Sequence, residues 1–169
     1  MTAFSIRPET GAFCLPIEEL HADVFGPGRF SRAAFRVREE GPHDPALSFL
    51  AVGGNDSAEL LGSVRMTWIE TSGSGCRGLL LGPLAVQQRL KGKGIGKALL
   101  NTAVDAAREA GAPYILLVGD RPYYQPFGFE PVERDRVAMP GPVDPARLLI
   151  CAVDAGVEEK VCGRVRWSG

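Results

Sequence analysis

An apolar run, Leu79-Leu80-Leu81-Gly82-Pro83-Leu84-Ala85-Val86, leads within a few residues into Lys91-Gly92-Lys93-Gly94-Ile95-Gly96-Lys97-Ala98-Leu99-Leu100. An apolar strand, a basic glycine-rich turn and the start of a helix in that order constrain the fold more than any other part of the chain. Three glycines at alternate positions remove the side chains that would hold a ligand off the backbone. The helix behind them presents unpaired N–H groups and a partial positive charge at its N-terminus. Lys91, Lys93 and Lys97 add screened positive charge. The segment therefore predicts a cradle for a phosphate-bearing ligand.

Spacing excludes two common cradles. A P-loop aligned on Gly96-Lys97 would place Lys91 where its first glycine belongs and Ala98 where its magnesium-binding hydroxyl belongs. A dinucleotide fingerprint started at Gly92 and Gly94 would need its third glycine at Lys97. The strand carries its own anomaly. Proline cannot donate a ladder hydrogen bond, and an interior glycine marks a bulge or a close backbone approach. Gly82-Pro83 in an otherwise central run thus predicts that pairing on one side fails there, with the strand Tyr114–Val118 splaying away; a harmless edge-strand proline is the competing reading. A splay would bare backbone groups around Leu84 and Val86 to an extended, amide-bearing ligand.

The rest of the pattern supplies the frame. Ile17, Leu20 and Val24 repeat at helical spacing behind Pro16, and Ser31 is placed to cap a second helix carrying Ala34, Phe35 and Val37. Leu47–Val52 reads as a strand, Gly53–Ser57 as a hairpin turn, and Leu60–Ile69 as a strand in which Gly62, Val64, Met66 and Trp68 alternate against Ser63, Arg65 and Thr67. Ile95, Leu99, Ala103, Ala106 and Ala110 hold one helical face, ended by Gly111 and Pro113. Tyr114–Val118 and Arg147–Val153 read as later strands, with a short helical turn at Pro122–Phe127. Alternation at Val161, Gly163, Val165 and Trp167 makes residues 154–169 a tail or edge strand. The order predicts one α/β (α+β) domain over residues 1–169, its mixed sheet covered by helices on both faces.

Bulk properties narrow the function classes. A net charge of −1 gives no general pull toward nucleic acid or an anionic membrane, so anion binding must be local. No apolar run approaches the roughly 20 residues that span a bilayer, and Met1–Glu9 lacks the pattern of a signal peptide. Cys14, Cys76, Cys151 and Cys162 are scattered, with only His21 and His43 to join them, so no metal site is expected and a cytoplasmic location is.

The turn resembles the acyl-CoA pyrophosphate loop of the GCN5-related N-acetyltransferases (GNAT superfamily), whose pattern is Gln/Arg-x-x-Gly-x-Gly/Ala. Lys91 stands at the Gln/Arg position, with Gln88 and Arg89 close by, and Gly94 and Gly96 match. With Leu81–Val86, Val118-Gly119-Asp120 and Tyr123-Tyr124-Gln125-Pro126-Phe127-Gly128-Phe129, the chain is similar to the YhbS-like bacterial group. The resemblance runs from Ile6 to about Val153. It implies a mostly antiparallel sheet of about seven strands, splayed between the fourth and fifth. It also implies acetyl-CoA as co-substrate, bound along Leu84, Ala85, Val86, Lys91, Gly92, Lys93, Gly94, Ile95, Gly96 and Lys97 with Tyr124 facing the sulfur.

Acetyl transfer sets three tasks. The developing oxyanion needs a preorganised donor, worth roughly 3–4 kcal/mol; the family implies the backbone amide of Leu84 or its neighbour. The leaving thiolate needs a proton, and Tyr124 aligns with the tyrosine of the family's Phe-Tyr-x-x-x-Gly-Phe pattern, although Tyr123 and Tyr124 also suit packing. The amine must lose a proton, and an alkyl ammonium of pKa near 10.4 is only about one part in 2,500 neutral at pH 7. Many relatives carry a carboxylate on the fourth strand, but none lies between Arg77 and Val86. Glu70 is then the nearest candidate base and Asp120 the next, with a water chain or a partly neutral amine as alternatives. Arg29, Arg32 and Arg36, spaced along one helical face, suit either a solvated surface or an acidic acceptor. The expected activity is transfer to the primary amine of a small molecule, by a monomer or homodimer. The alternatives are a protein lysine or N-terminal acetyltransferase and a non-catalytic acyl-CoA sensor.

Overall fold

The computed structural model describes residues 3–54 and 58–169. In chain order its elements are β1 (Phe4–Pro8), α1 (Cys14–Phe25), α2 (Ala33–Glu40), β2 (Phe49–Gly53), β3 (Glu59–Thr71), β4 (Arg77–Val86), α3 (Ile95–Glu109), β5 (Tyr114–Val118), α4 (Arg121–Tyr124), β6 (Glu130–Pro131), β7 (Val137–Ala138), β8 (Leu148–Ala152) and β9 (Gly163–Trp167). The hairpin turn expected at Gly53–Ser57 lies partly outside the described residues; the strands flanking it pair antiparallel.

The sheet runs β1-β2-β3-β4-β5-β8-β6, seven strands in which only β4–β5 is parallel. β9 pairs the far end of β3 and carries β7 beside it, so Gly163–Trp167 of the tail form a strand with two partners. α3 covers one face. Its buried stripe is Ile95, Leu99, Leu100, Ala103, Val104 and Ala107, packed on Val64, Met66, Leu79 and Ile115. Ala110, expected on that stripe, is exposed because the helix ends there, with Gly111 left-handed behind it. α1 and α2 cover the opposite face through Ile17, Leu20 and Val37. Ser31 does not cap α2. Its hydroxyl donates to the Gly28 carbonyl at 2.8 Å, and Arg32 occupies the cap position without a side-chain bond to the helix.

Two irregularities meet at Pro83. On the β3 side, Val64 pairs Leu84 but Met66 pairs Leu81, so Gly82 and Pro83 together oppose Arg65: a β-bulge. On the other side, β5 pairs β4 only at Leu79↔Ile115 and Leu80↔Leu116. β5 stays instead with β8 through Val118, and the Gly119 N–H continues that pairing to the Arg147 carbonyl at 2.9 Å. The gap expected between the fourth and fifth strands therefore opens where glycine and proline interrupt the ladder.

The polar half of the β3 alternation is buried as well. α1 and α2 cover it, which leaves Arg65 only 2% exposed. Its guanidinium donates to Glu9 at 3.0 and 3.2 Å and to Glu18 at 3.1 Å, while His43 Nε2 donates to Glu9 at 2.9 Å. Burial pushes the Glu9 carboxyl up, but the bonds from His43 and Arg65 and the Arg65 charge outweigh it and hold the group at about 2. Fully buried His21 lies beside this cluster, its ring against Phe25 and Phe35 and its Nε2 3.5 Å from the Ser63 hydroxyl. Burial first, then the Arg65 charge, pushes this imidazole down to about 4.

These two groups give acid stability two windows. Below the ordinary histidine pKa of 6.5 the unfolded chain takes up a proton that folded His21 refuses, so stability falls with pH until about 4. Glu9, depressed in the fold, stabilises above 4.5, and that contribution is lost as pH falls through about 2. Urea unfolding at a series of pH values should show a loss of about 3 kcal/mol between pH 6.5 and 4. His21→Leu should flatten that limb and leave the lower one. A wild-type curve level from pH 7 to 5 would contradict the buried neutral imidazole.

Candidate active site

The gap widens into a cleft of about 740 Å³. Its floor is β4 from Leu80 to Leu84 with Val86; Gly82 sits under α2, where an added Cβ would lie 3.5 Å from the Ala34 Cβ. One end is built from the turn after β4, the first residues of α3, and Tyr123 and Tyr124 of α4. The other end lies between Val24, Phe25 and the Arg32–Phe35 stretch on one side and Pro142, Val143, Asp144 and Arg147 on the other.

At the first end the backbone is shaped by glycine. Gly92 and Gly94 are left-handed, with φ of 77° and 85°. Gly94 precedes α3, and its carbonyl accepts the first helical bond, from the Ala98 N–H at 3.0 Å. The amides of Ile95, Gly96 and Lys97 belong to the helix's first turn and have no intrahelical acceptor. A Cβ at residue 92 or 94 would point into open space, whereas a Cβ at Gly96 would lie 2.6 Å from the Tyr123 hydroxyl. The result is a concave, side-chain-free surface of N–H donors, with Lys91 and Lys97 also lining the cleft.

Tyr124 stands beside this surface. Its ring packs over Gly119, where a Cβ would come within 2.3 Å, and meets Tyr123 and Phe129 edge-on at 4.9 and 6.0 Å between ring centres. Burial, and then the Tyr123 and Asp120 charges, push its hydroxyl up to about 12 against a small opposing pull from Arg147. Tyr124 is thus a fixed, protonated phenol at the edge of the splay.

The structure sorts the remaining candidates. Leu84, Val86, Lys91, Gly92, Gly94, Ile95, Gly96, Lys97 and Tyr124 line the cleft together. Ala85 does not, because strand alternation turns it into the core beneath α1 with Ile17, Leu20 and Leu50. Lys93 is exposed outside the lining. Glu70 is excluded by distance: it pairs Arg77 at the opposite end of β4 from Leu84, and its carboxylate accepts from Arg166 Nε at 2.6 Å. Asp120 reaches the cleft, 79% exposed and 3.3 Å from Arg147 Nε. The arginine stripe is dispersed, since Arg29 lies in a 3-10 turn, Arg32 over Phe25 at 4.7 Å, and Arg36 beside Glu39.

Sequence reasoning missed Asp144 and Arg147. Pro140-Gly141-Pro142 signals an interruption but does not say where the following loop lands, and the Asp144 carboxylate, which accepts from the Ala146 N–H at 2.9 Å, is the second acid on the cleft. Among the described residues no group of three or more His, Cys, Asp or Glu could hold a metal ion, and no helix is long and apolar enough to cross a membrane.

Comparison with known proteins points the same way. An uncharacterised N-acetyltransferase of Escherichia coli, YhbS, is 28% identical over 94 residues, covering 56% of this chain and 54% of that protein. A second, YjhQ, is 29% identical over 122 residues, covering 71% and 66%. The chain therefore spans about half the length of YhbS in sequence. In structure it superposes with a TM-score of 0.81 on E. coli YhbS in complex with CoA, at 21% identity and with 99% and 91% of the two chains covered. A GNAT family acetyltransferase from Brucella melitensis in complex with acetyl-CoA gives 0.69 at 23% identity, covering 100% and 98%. The family model for the GNAT acetyltransferases matches residues 15–129, from the first helix through the tyrosine-bearing turn, and the chain belongs to that family.

Proposed function

We propose that this protein transfers an acetyl group from acetyl-CoA to the primary amine of a small molecule, by direct attack within the β4–β5 cleft. One observation carries the reading: a single cleft joins a strand edge left unpaired beyond Leu80 to a glycine-shaped ring of free amides. Pantetheine carries amides that can bond to such an edge, and a diphosphate suits the N-terminus of α3. The CoA and acetyl-CoA bound by the two structural neighbours support that fit.

Bound acetyl-CoA supplies the activated carbonyl and a thiolate leaving group. This chain's share of the chemistry is positional and electrostatic. The backbone amide at Leu84 donates to the carbonyl oxygen as charge develops there. Tyr124 holds its proton toward the departing sulfur. The amine's proton leaves toward the solvent-open edge, where Asp120 and Asp144 are the carboxylates at hand. A small acceptor is favoured because α1 and α2 on one side, and Pro142 and Val143 on the other, wall in the far end of the cleft. Free, scattered cysteines suit work in a bacterial cytoplasm.

Gly94→Val tests the site. Valine strains the left-handed position before α3, a residue that lines the cleft. Calorimetric titration with CoA should show at least about 100-fold weaker binding, with the circular dichroism spectrum retained. Unchanged affinity would remove the turn from the site.

A further inference from the structure

Resting on the CoA reading above, we propose that the Tyr123 hydroxyl is part of the phosphate grip, so that the two adjacent tyrosines divide binding from chemistry. Tyr123 and Tyr124 share one short helix but face different partners. Tyr124 is packed down over Gly119 at the splay. Tyr123 stays 38% exposed and swings across the cleft, so that its hydroxyl lies 2.6 Å from the place a Gly96 side chain would begin; the Val86 Cγ2 is 3.7 Å from that same point. α4 thereby reaches the N-terminus of α3 over the cleft, with β4 beneath.

What surrounds this hydroxyl decides its role. The first-turn amides of α3, beside which this hydroxyl lies at Gly96, and Lys91 and Lys97 of the same cleft are donors and cations; the cleft's carboxylates are Asp120 and Asp144. A tyrosine hydroxyl beside that N-terminus donates to water until an oxygen anion displaces it. A phosphate oxygen held by the amides of α3 supplies that acceptor, and the hydroxyl then closes the cradle from the side opposite the helix. The position also explains Gly96, which is not left-handed: any side chain there would displace the hydroxyl from the anion's place.

Tyr123→Phe removes the hydroxyl and keeps the ring that meets Tyr124 edge-on. Calorimetry with two probes separates the possible roles, CoA with its diphosphate and pantetheine without it. The variant should bind CoA about 10–100-fold more weakly than the wild type, the range for a lost hydrogen bond to a charged group. Its affinity for pantetheine should stay within about twofold of the wild-type value. Equal weakening for both probes would make Tyr123 a packing residue and overturn the proposal, as would unchanged CoA affinity. A wild-type protein that binds neither probe would overturn the acetyl-CoA reading itself, a result distinct from any behaviour of the variant.

Discussion

Tyr124→Phe is expected to lower turnover by about 10²–10⁴-fold while CoA affinity stays within about twofold, because the variant removes only a proton donor. The packing over Gly119 and against Phe129 survives in the phenylalanine ring. With burial holding the phenol at about 12, it remains protonated at any pH suited to the protein. A thiol loses its proton near 8.5, so complete transfer from Tyr124 is uphill; the hydroxyl acts by hydrogen bonding to sulfur as the carbon–sulfur bond lengthens. The basic limb of the wild-type rate profile should therefore extend past pH 10 without a tyrosine titration. The assay needs an acceptor, which mass spectrometry of a metabolite extract incubated with isotopically labelled acetyl-CoA can identify. Equal turnover in wild type and variant would strip Tyr124 of the acid role.

Arg65→Met carries the largest expected effect on stability, a loss of about 3–5 kcal/mol in urea unfolding at pH 7. The substitution leaves Glu9, whose side chain is 7% exposed, as a buried carboxylate facing only His43. Glu9 would then lose the partner that offsets its burial and take up a proton at far higher pH than now. Adding Glu9→Gln to Arg65→Met should restore part of the loss, because the uncompensated charge goes with it. A loss below about 1 kcal/mol in the single variant would show that the network is solvated in solution. Arg65 also stands opposite Gly82 and Pro83, at the bulge between β3 and β4.

The glycine turn and the strand break of the candidate site are legible from local rules. Gly92, Gly94 and Gly96 announce a backbone conformation and a close approach, and Pro83 announces a failed ladder bond; each is a property of one residue and its neighbours. Tyr114–Val118 is an uninterrupted apolar run, and the observed strand has those bounds. Arg65 was visible only as one polar member of an alternating strand. Alternation reports which residues share a face, not whether a helix covers that face, so the buried charge network stayed hidden. Asp144 and Arg147 stayed hidden for a related reason, since their place in the cleft depends on where a proline-rich loop returns to the sheet. Glu70 shows the converse error. It is near in sequence to the strand of interest, but an antiparallel partner carries its C-terminal end away from that strand's C-terminal end.

The parting of β5 from β4 has a consequence for how specificity can change. Everything proposed to hold the shared carrier comes from one contiguous stretch, residues 81–97, plus the tyrosine pair, whereas the opposite bank is contributed by the α1–α2 junction and the chain near residue 143. Exchanging the latter segments between relatives should retarget the enzyme to new amines with its handling of the thioester intact, as tool heads are swapped on a common handle.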